Sequence, residues 1–307
     1  MTVEAIGLGK NYGKTRAVDQ LSFRLEPGVV TGFLGPNGSG KSTTMRLMLG
    51  LDRGDGETLW DGLPLRSHKP VSRVVGAHLD AKFFHPSRSA RNHLRLLATE
   101  ARIPKSRVDE VLTLVGLDEV ARKRPSGFSL GMGQRLGLAG AILAEPQVLL
   151  LDEPANGLDP QSIQWLRDFL RSYAERGNVV FVSSHLLSEM QLMADHLIVI
   201  AAGQMIADES LAQFVARSSL NDVFVRCSDP AALASAMATV GVTSKPEGDD
   251  GLSVAIADTD WVGDAAFRFG ITIRELTRRT ASLEEAFLEM TSGTQQFQVG
   301  APKEESA

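Results

Sequence analysis

The chain is poor in cysteine. Cys227 is the only one among 307 residues, which rules out an internal disulfide and fits a reducing compartment. Long apolar runs are also missing. The longest stretch free of Asp, Glu, Lys and Arg, Pro230 to Ser244, is too short and too rich in Ser and Thr to span a bilayer. Met1 to Lys10 shows no basic segment followed by an apolar one, so no signal peptide is expected, and the chain is expected to be soluble by itself. A basic excess is lacking too. The net charge of −5 and a pI near 5.7 give no global case for a nucleic-acid or anionic-lipid partner. No internal repeat is evident. What remains is the composition of an ordinary globular protein, 43% hydrophobic and 22% charged, long enough for one large domain and a smaller one.

One motif organises the rest. Gly35-Pro36-Asn37-Gly38-Ser39-Gly40-Lys41-Ser42 fits G-x-x-x-x-G-K-[ST] at every fixed position. An apolar run, Val29 to Leu34, reads as a strand entering it, and Ser42 to Leu49 as a helix leaving it. Glycines let the backbone turn tightly around a phosphate, while successive N–H groups and the helix N-terminus present partial positive charge. Lys41 adds a full charge for the β- and γ-phosphates, and Ser42 a hydroxyl for Mg²⁺. This implies nucleotide binding.

Around the motif, Thr2 to Leu8 and Leu21 to Leu25 read as strands flanking a turn-rich segment that holds Tyr12; a parallel or an antiparallel sheet is equally open there. Asp52 to Gly62 reads as turns and short strands, and Val74 to Ala77 as a strand before an irregular segment, Asp80 to Pro86. Three helices follow: one capped by Ser89 and running to Ala101 with Leu94, Leu97 and Ala101 on one face, one carrying Val108, Val111, Leu112 and Val115, and one over about Met132 to Ala144. They predict a helical insert at about 87–145 in an α/β domain. Strand and helix then alternate. Val148 to Leu151 is an apolar run that delivers Asp152 and Glu153 at its C-terminal end, where open α/β sheets place ligands. Asp159-Pro160 opens a helix with Ile163, Leu166, Phe169, Leu170 and Tyr173 inward, Asn178 to Ser183 is a strand ending at Ser184-His185, and Leu197 to Ile200 is another. With a phosphate loop in the chain, Asp152 is the expected acid on the Mg²⁺ side. Glu153 is suited to orient or deprotonate an attacking water, and His185 sits at a second strand end facing the same edge.

These residues together resemble the ATP-binding subunit of an ABC transporter, over Met1 to about residue 218. The resemblance implies an α/β P-loop ABC ATPase domain with ATP and Mg²⁺ as cofactors. It makes Tyr12 the aromatic residue that stacks on adenine, and gives the phosphate loop Gly35 to Ser42, with Thr43 after it, as nucleotide contacts. Val148 to Glu153 is similar to the Walker B segment, with Glu153 as catalytic base. Pro154 to Asp159 resembles the D-loop, and Ser183-Ser184-His185 the switch-histidine segment. Phe128 to Arg135 stands where the family has its L-S-G-G-Q signature. By resemblance, Ser129 and Gly131 reach the γ-phosphate held by an opposite subunit, so that a homodimer or heterodimer sandwiches two ATP molecules. Two departures stand out. Leu130 and Met132 replace the signature's first Gly and its Gln, and the Q-loop glutamine is missing, with Asp80 nearest its place. An acid there is similar to bacitracin-type and other drug-export ATPases, and counts Asp80 with Ser42 and Asp152 on the metal side. His78, His85 and His93 have spacings that suit no common metal motif and read as loop and helix residues.

The C-terminal part is expected to be a small α+β domain at about 219–291, for which a ferredoxin-like arrangement is one solution, with a disordered tail at 292–307. Its strands are Val223 to Cys227, Leu252 to Ile256 and Ile271 to Leu276. Its helices are Ala231 to Val240, Trp261 to Phe269, and one opened by the capping box Ser282-Leu283-Glu284-Glu285. Val223, Phe224 and Val225 in succession suggest burial against something larger, and a regulatory or assembly role. Arg122-Lys123-Arg124 and Arg278-Arg279 read as solvated faces. The function implied is an ATPase on the cytoplasmic face of the membrane that drives a separate permease subunit, for export of a drug, antibiotic or lipid-like compound. A soluble ABC ATPase of translation or DNA repair, or an ATP sensor without hydrolysis, are the alternatives. The single nucleotide site and the intact Glu153 count against them.

Overall fold

The computed structural model describes residues 1–80, 84, 85, 87–218, 220–256 and 258–291. The tail at 292–307 and part of the segment Asp80 to Pro86 lie outside the described residues. The chain divides into two compact units, Met1–Ser210 and Leu211–Ser292.

The first unit begins with β1 (Val3–Tyr12), β2 (Thr15–Leu25), β3 (Val30–Leu34), α1 (Lys41–Met48), β4 (Asp55–Trp60), β5 (Leu63–Pro64) and β6 (Val75–His78). Three helices follow: α2 (Ala90–Glu100), α3 (Ser106–Leu114) and α4 (Leu130–Ile142). The chain then returns to alternation through β7 (Val148–Asp152), α5 (Pro160–Glu175), β8 (Val179–Ser184), α6 (Leu187–Met193), β9 (His196–Ala201) and β10 (Gln204–Ser210). Two sheets result. The order β2-β1-β4-β5 is antiparallel throughout, which resolves the alternative left open for the N-terminal part. The order β10-β9-β3-β8-β7-β6 is parallel except for the β9–β10 hairpin.

β3 and β8 are buried along their whole length and β7 up to Asp152, as strands covered on both faces must be, and this is why they are continuous apolar runs. Both sheets share one core. In it Phe33 stacks on Phe181 at 4.9 Å between ring centroids, with Phe23 of β2 tilted against both. Parallel register carries Leu34, His78, Asp152 and Ser184 to the same C-terminal edge.

Several expectations change. Tyr12 ends strand β1 instead of sitting in a turn-rich segment, because β1 continues along β2 through three register shifts as far as Tyr12↔Thr15. His78 is neither loop nor helix; it is the last residue of β6 and buried. The inner face of α2 is Ala90, Leu94 and Ala98. In α5, Leu166, Leu170 and Tyr173 are buried while Ile163 and Phe169 are only half-buried.

The second unit contains α7 (Leu211–Ala216), β11 (Asp222–Cys227), α8 (Pro230–Thr239), β12 (Ser244–Glu247), β13 (Gly251–Val254), α9 (Thr259–Arg268), β14 (Ile273–Arg279) and α10 (Leu283–Thr291). From β11 to β14 the order is βαββαβ, and the sheet runs β12-β13-β11-β14, all antiparallel, which is the ferredoxin-like split βαβ arrangement. The unit starts earlier than the expected residue 219 because α7 packs on α10, where Ser218 Oγ donates to Glu289 Oε2 at 2.8 Å. Val223 and Val225 face the core, whereas Phe224 points the other way under the Arg279 guanidinium, 4.2 Å above its ring. Its outward position therefore has a local cover. The capping box is formed: Ser282 N donates to Glu285 Oε2 at 2.8 Å and Glu285 N to Ser282 Oγ at 3.2 Å.

Candidate functional site

The loop between β3 and α1 is built by close approach. Gly40 has φ +107°, and a Cβ there would lie 2.4 Å from the Ala17 carbonyl of β2, so no other residue fits without moving that strand. Ser39 N donates to Pro36 O at 3.1 Å, and Gly203 N to Ser39 O at 3.1 Å, which pins the loop to the β9–β10 turn. Lys41 is buried and folds back, its Nζ donating to Gly35 O at 2.7 Å and Pro36 O at 3.3 Å. Burial pushes its ammonium below the usual lysine range; Glu153, then Asp152, act in the opposite direction. Ser42 stands exposed in the first turn of α1, next to half-buried Thr43.

Across the same edge, Asp152 ends β7 and its Oδ1 accepts from Ser183 Oγ of β8. Glu153 follows in a left-handed conformation, φ +50°. For a side chain of this size such a backbone costs about 1–3 kcal/mol and persists only where neighbours hold it. Here they do. Glu153 N donates to Ser183 O at 3.2 Å and to Ser183 Oγ at 3.0 Å, while Glu153 O accepts from Gln134 Nε2 at 3.1 Å. The carboxylate is thereby turned to His185, whose Nδ1 lies 2.6 Å from Glu153 Oε2 and whose backbone N–H donates to the same oxygen at 3.3 Å. Lys41, Asp152, Glu153 and His185 are thus brought together. Asp80 lies two residues past the end of β6, which pairs with β7 through His78↔Leu151, so it leaves the sheet at the same edge as Asp152.

The remaining candidates lie in three places. Tyr12 is half exposed, with Lys10 Nζ 5.2 Å over its ring, and its hydroxyl donates to Asp52 at 3.2 Å; Arg46 forks onto Asp52 at 3.0 and 3.1 Å, which ties Tyr12 to the last turn of α1. Ser129 caps α4, its Oγ accepting from Met132 N at 3.2 Å. Asp159 caps α5 by accepting from Ser162 N at 2.8 Å and Ser162 Oγ at 2.9 Å, and these bonds hold its carboxyl below the usual range.

The family described as ABC transporter matches residues 18–156, and a second family, described as a domain of unknown function, matches residues 221–284. The ABC transporter ATP-binding protein YhcH of Bacillus subtilis is 36% identical over 96% of this chain and 97% of its own length. The chain belongs to the ABC transporter ATP-binding family. Bacitracin transport ATP-binding protein BcrA of Bacillus licheniformis is 38% identical over 67% of this chain and 69% of its own. Nod factor export ATP-binding protein I of Paraburkholderia xenovorans is 33% identical over 92% and 94%. Among solved structures, an ATP-binding subunit of an ABC transporter superposes with a TM-score of 0.65 at 23% identity, over 71% of this chain and 93% of that one, and shows the same fold. As an ABC ATPase the chain binds and hydrolyses ATP.

Within this ABC domain, the turn that opens α4 and the loop after β7 meet. A Cβ on Gly131 would lie 2.8 Å from Gly157 O, and one on Gly157 (φ +74°) 2.4 Å from Leu130 Cδ2. Leu130, which departs from the family pattern, therefore spreads its side chain over Gly157. Two residues escaped the sequence reading. Gln134 and His78 are both buried, and His78 Nε2 bonds to Gln134 Oε1 while Gln134 Nε2 reaches Glu153 O. A Cβ on Gly137 would lie 2.1 Å from His78 Cε1, so the imidazole packs directly against α4 at this glycine. Gln134 lies within Phe128 to Arg135, where nothing in its spacing distinguishes it from its neighbours.

Proposed function

We propose that the chain hydrolyses ATP at the interface of two such subunits and thereby drives a separate membrane permease, in export of an antibiotic-like or lipid-like compound. The observation that carries this reading is Glu153, held in a left-handed backbone beside Asp152 with its carboxylate on His185, at the sheet edge where Lys41 emerges. Lys41 and the N–H groups of the loop bind the phosphates. Glu153 accepts a proton from the attacking water, and His185 orients that carboxylate. The oxygen donors Ser42 and Asp152 fit Mg²⁺, which prefers hard oxygen ligands and keeps several waters and phosphate oxygens. When bound, Mg²⁺ neutralises charge on the β- and γ-phosphates. Ser129 and Gly131 act on the ATP of the opposite subunit.

The export sense rests on relatives named for bacitracin transport, lantibiotic transport and Nod factor export. A groove of about 710 Å³, with Val71, Leu79, Phe84, Leu97 and Ile103 among its apolar lining and Asp80 beside them, suits a helix of the permease. No helix among the described residues is long and apolar enough to cross a membrane. Attachment at the cytoplasmic face would then be peripheral, through that partner.

Glu153→Gln tests the reading. Removing the base should lower hydrolysis ~10²–10⁴-fold while ATP still binds, and Lys41→Ala should lose ATP binding itself. A purified Glu153→Gln protein that turns over at the wild-type rate refutes the assignment.

A further inference from the structure

The fold collects arginines that the sequence scatters. Arg88, just before α2, and Arg91 and Arg95, within it, converge with Arg122 and Arg124, from the segment after α3, around a concavity of about 540 Å³. The other residues around it are Ser87, Ser89 and Asn92, so none is acidic, aromatic or aliphatic. Two backbone hydrogen bonds stitch the segments together, Ala90 N to Lys123 O at 3.0 Å and Arg91 N to Ala121 O at 2.8 Å. With Ser89 Oγ accepting from Asn92 N at 3.3 Å, these bonds use the N–H groups of the first turn of α2. The concavity therefore offers an anion guanidinium groups held in place, not free backbone donors.

Arg91 is committed to Asp109 at 3.1 Å. Arg88, Arg95, Arg122 and Arg124 make no side-chain hydrogen bond or ion pair among the described residues. Their field is felt nearby: the His93 imidazole is pushed below its ordinary range first by burial and then by Arg88. Four unneutralised like charges around one concavity repel one another, and an anion placed between them relieves that cost. The chemistry of the lining narrows the choice. There is no ring for a base to stack on and no apolar wall for an acyl chain or drug. Every cation is Arg, whose planar fork matches phosphate oxygens in pairs. A phosphate group, with three acceptor oxygens and up to two charges, uses more of these forks than a carboxylate does.

We propose that this concavity binds a phosphate group, carried either by an anionic lipid headgroup or by a free phosphate compound. The test uses the full chain with ADP filling the nucleotide site, and a double variant, Arg95→Gln/Arg124→Gln. One arm is flotation with phosphatidylcholine vesicles that do or do not contain phosphatidylglycerol; the other is titration with pyrophosphate. At ~1 kcal/mol per basic residue near an anionic surface, the variant should bind about 30-fold more weakly, with its ATPase rate unchanged. A loss seen with phosphatidylglycerol vesicles assigns the lipid source; a loss seen with pyrophosphate alone assigns the free compound. A second pair, Arg88→Gln/Arg122→Gln, should reproduce the loss. The proposal is overturned if wild type binds neither probe, or if variant and wild type bind both equally. It is also overturned if the wild type ignores both but captures polyglutamate that the variant releases.

Discussion

Glu153 depends on a chain of three buried or half-buried groups. Burial holds the His78 imidazole below its ordinary range, so it is neutral and has one ring proton to give. Gln134 spends its amide N–H on Glu153 O, so its Oε1 is the acceptor and the His78 proton must sit on Nε2. The end of β6, the signature helix α4 and the candidate base are thus linked through donors of one direction. Gln134→Leu would strand the buried His78 N–H, at a cost of about 1–3 kcal/mol, and remove the donor to the half-buried Glu153 carbonyl. It should lower stability in urea titration, and lower kcat with little change in the KM for ATP, because the phosphate loop is untouched. The double variant His78→Leu/Gln134→Leu should recover part of the stability, since both partners are then apolar, but not the rate. Wild-type stability and kcat in Gln134→Leu would remove any role for the chain of bonds.

At the scale of elements, the site is a junction of strand ends and helix starts, and its parts differ in how visible they were. The phosphate loop, the Ser89 and Asp159 caps and the Ser282–Glu285 box are local patterns, written within a few consecutive residues, and the structure forms each of those contacts. β12, with Ser244, Lys245, Pro246 and Glu247, is an edge strand held by backbone pairing to β13 and carries no apolar alternation to betray it. α6 is seven residues long with no side-chain cap, so it has no start signal. The left-handed Glu153 and its Gln134 partner depend on contacts 19 residues apart, which no window reveals. The same holds for Leu130 over Gly157. This packing orders the turn within the single chain, and it leaves Ser129 at the helix start. If Ser129 and Gly131 act in trans, Ser129→Arg on a Glu153→Gln background should abolish the ATP-dependent dimer in size exclusion while ATP binding to the single subunit persists. A dimer that survives the change would mean that another segment meets the opposite nucleotide.

Among the described residues each unit has an apolar cluster of its own. One spans both sheets of the first unit, with Trp60, Phe33 and Phe181 at its centre. The other gathers Val223, Val225, Leu233, Leu252 and Val262 between the ferredoxin-like sheet and its two helices. Every candidate nucleotide residue lies in Met1–Ser210. Among the described residues the second unit shows no group of three or more His, Cys, Asp or Glu that could hold a metal ion, and its charged face is paired within itself, as in Arg279 with Glu247 at 2.8 Å and Arg226 with Glu275 at 3.3 Å. We propose for it a role in assembly or regulation. A unit of this size has a marginal core, so it should melt apart from the larger one. Truncation after Ser210 removes α7 along with its partner α10, where a cut after Ser218 would leave α7 stranded. The truncated chain should keep ATP affinity and the calorimetric transition of the first unit, lose a second transition, and show weaker ATP-driven dimerisation or weaker coupling to the permease. Unchanged dimer affinity and transport would end the assembly reading, and loss of ATP binding would show that the two cores are not independent.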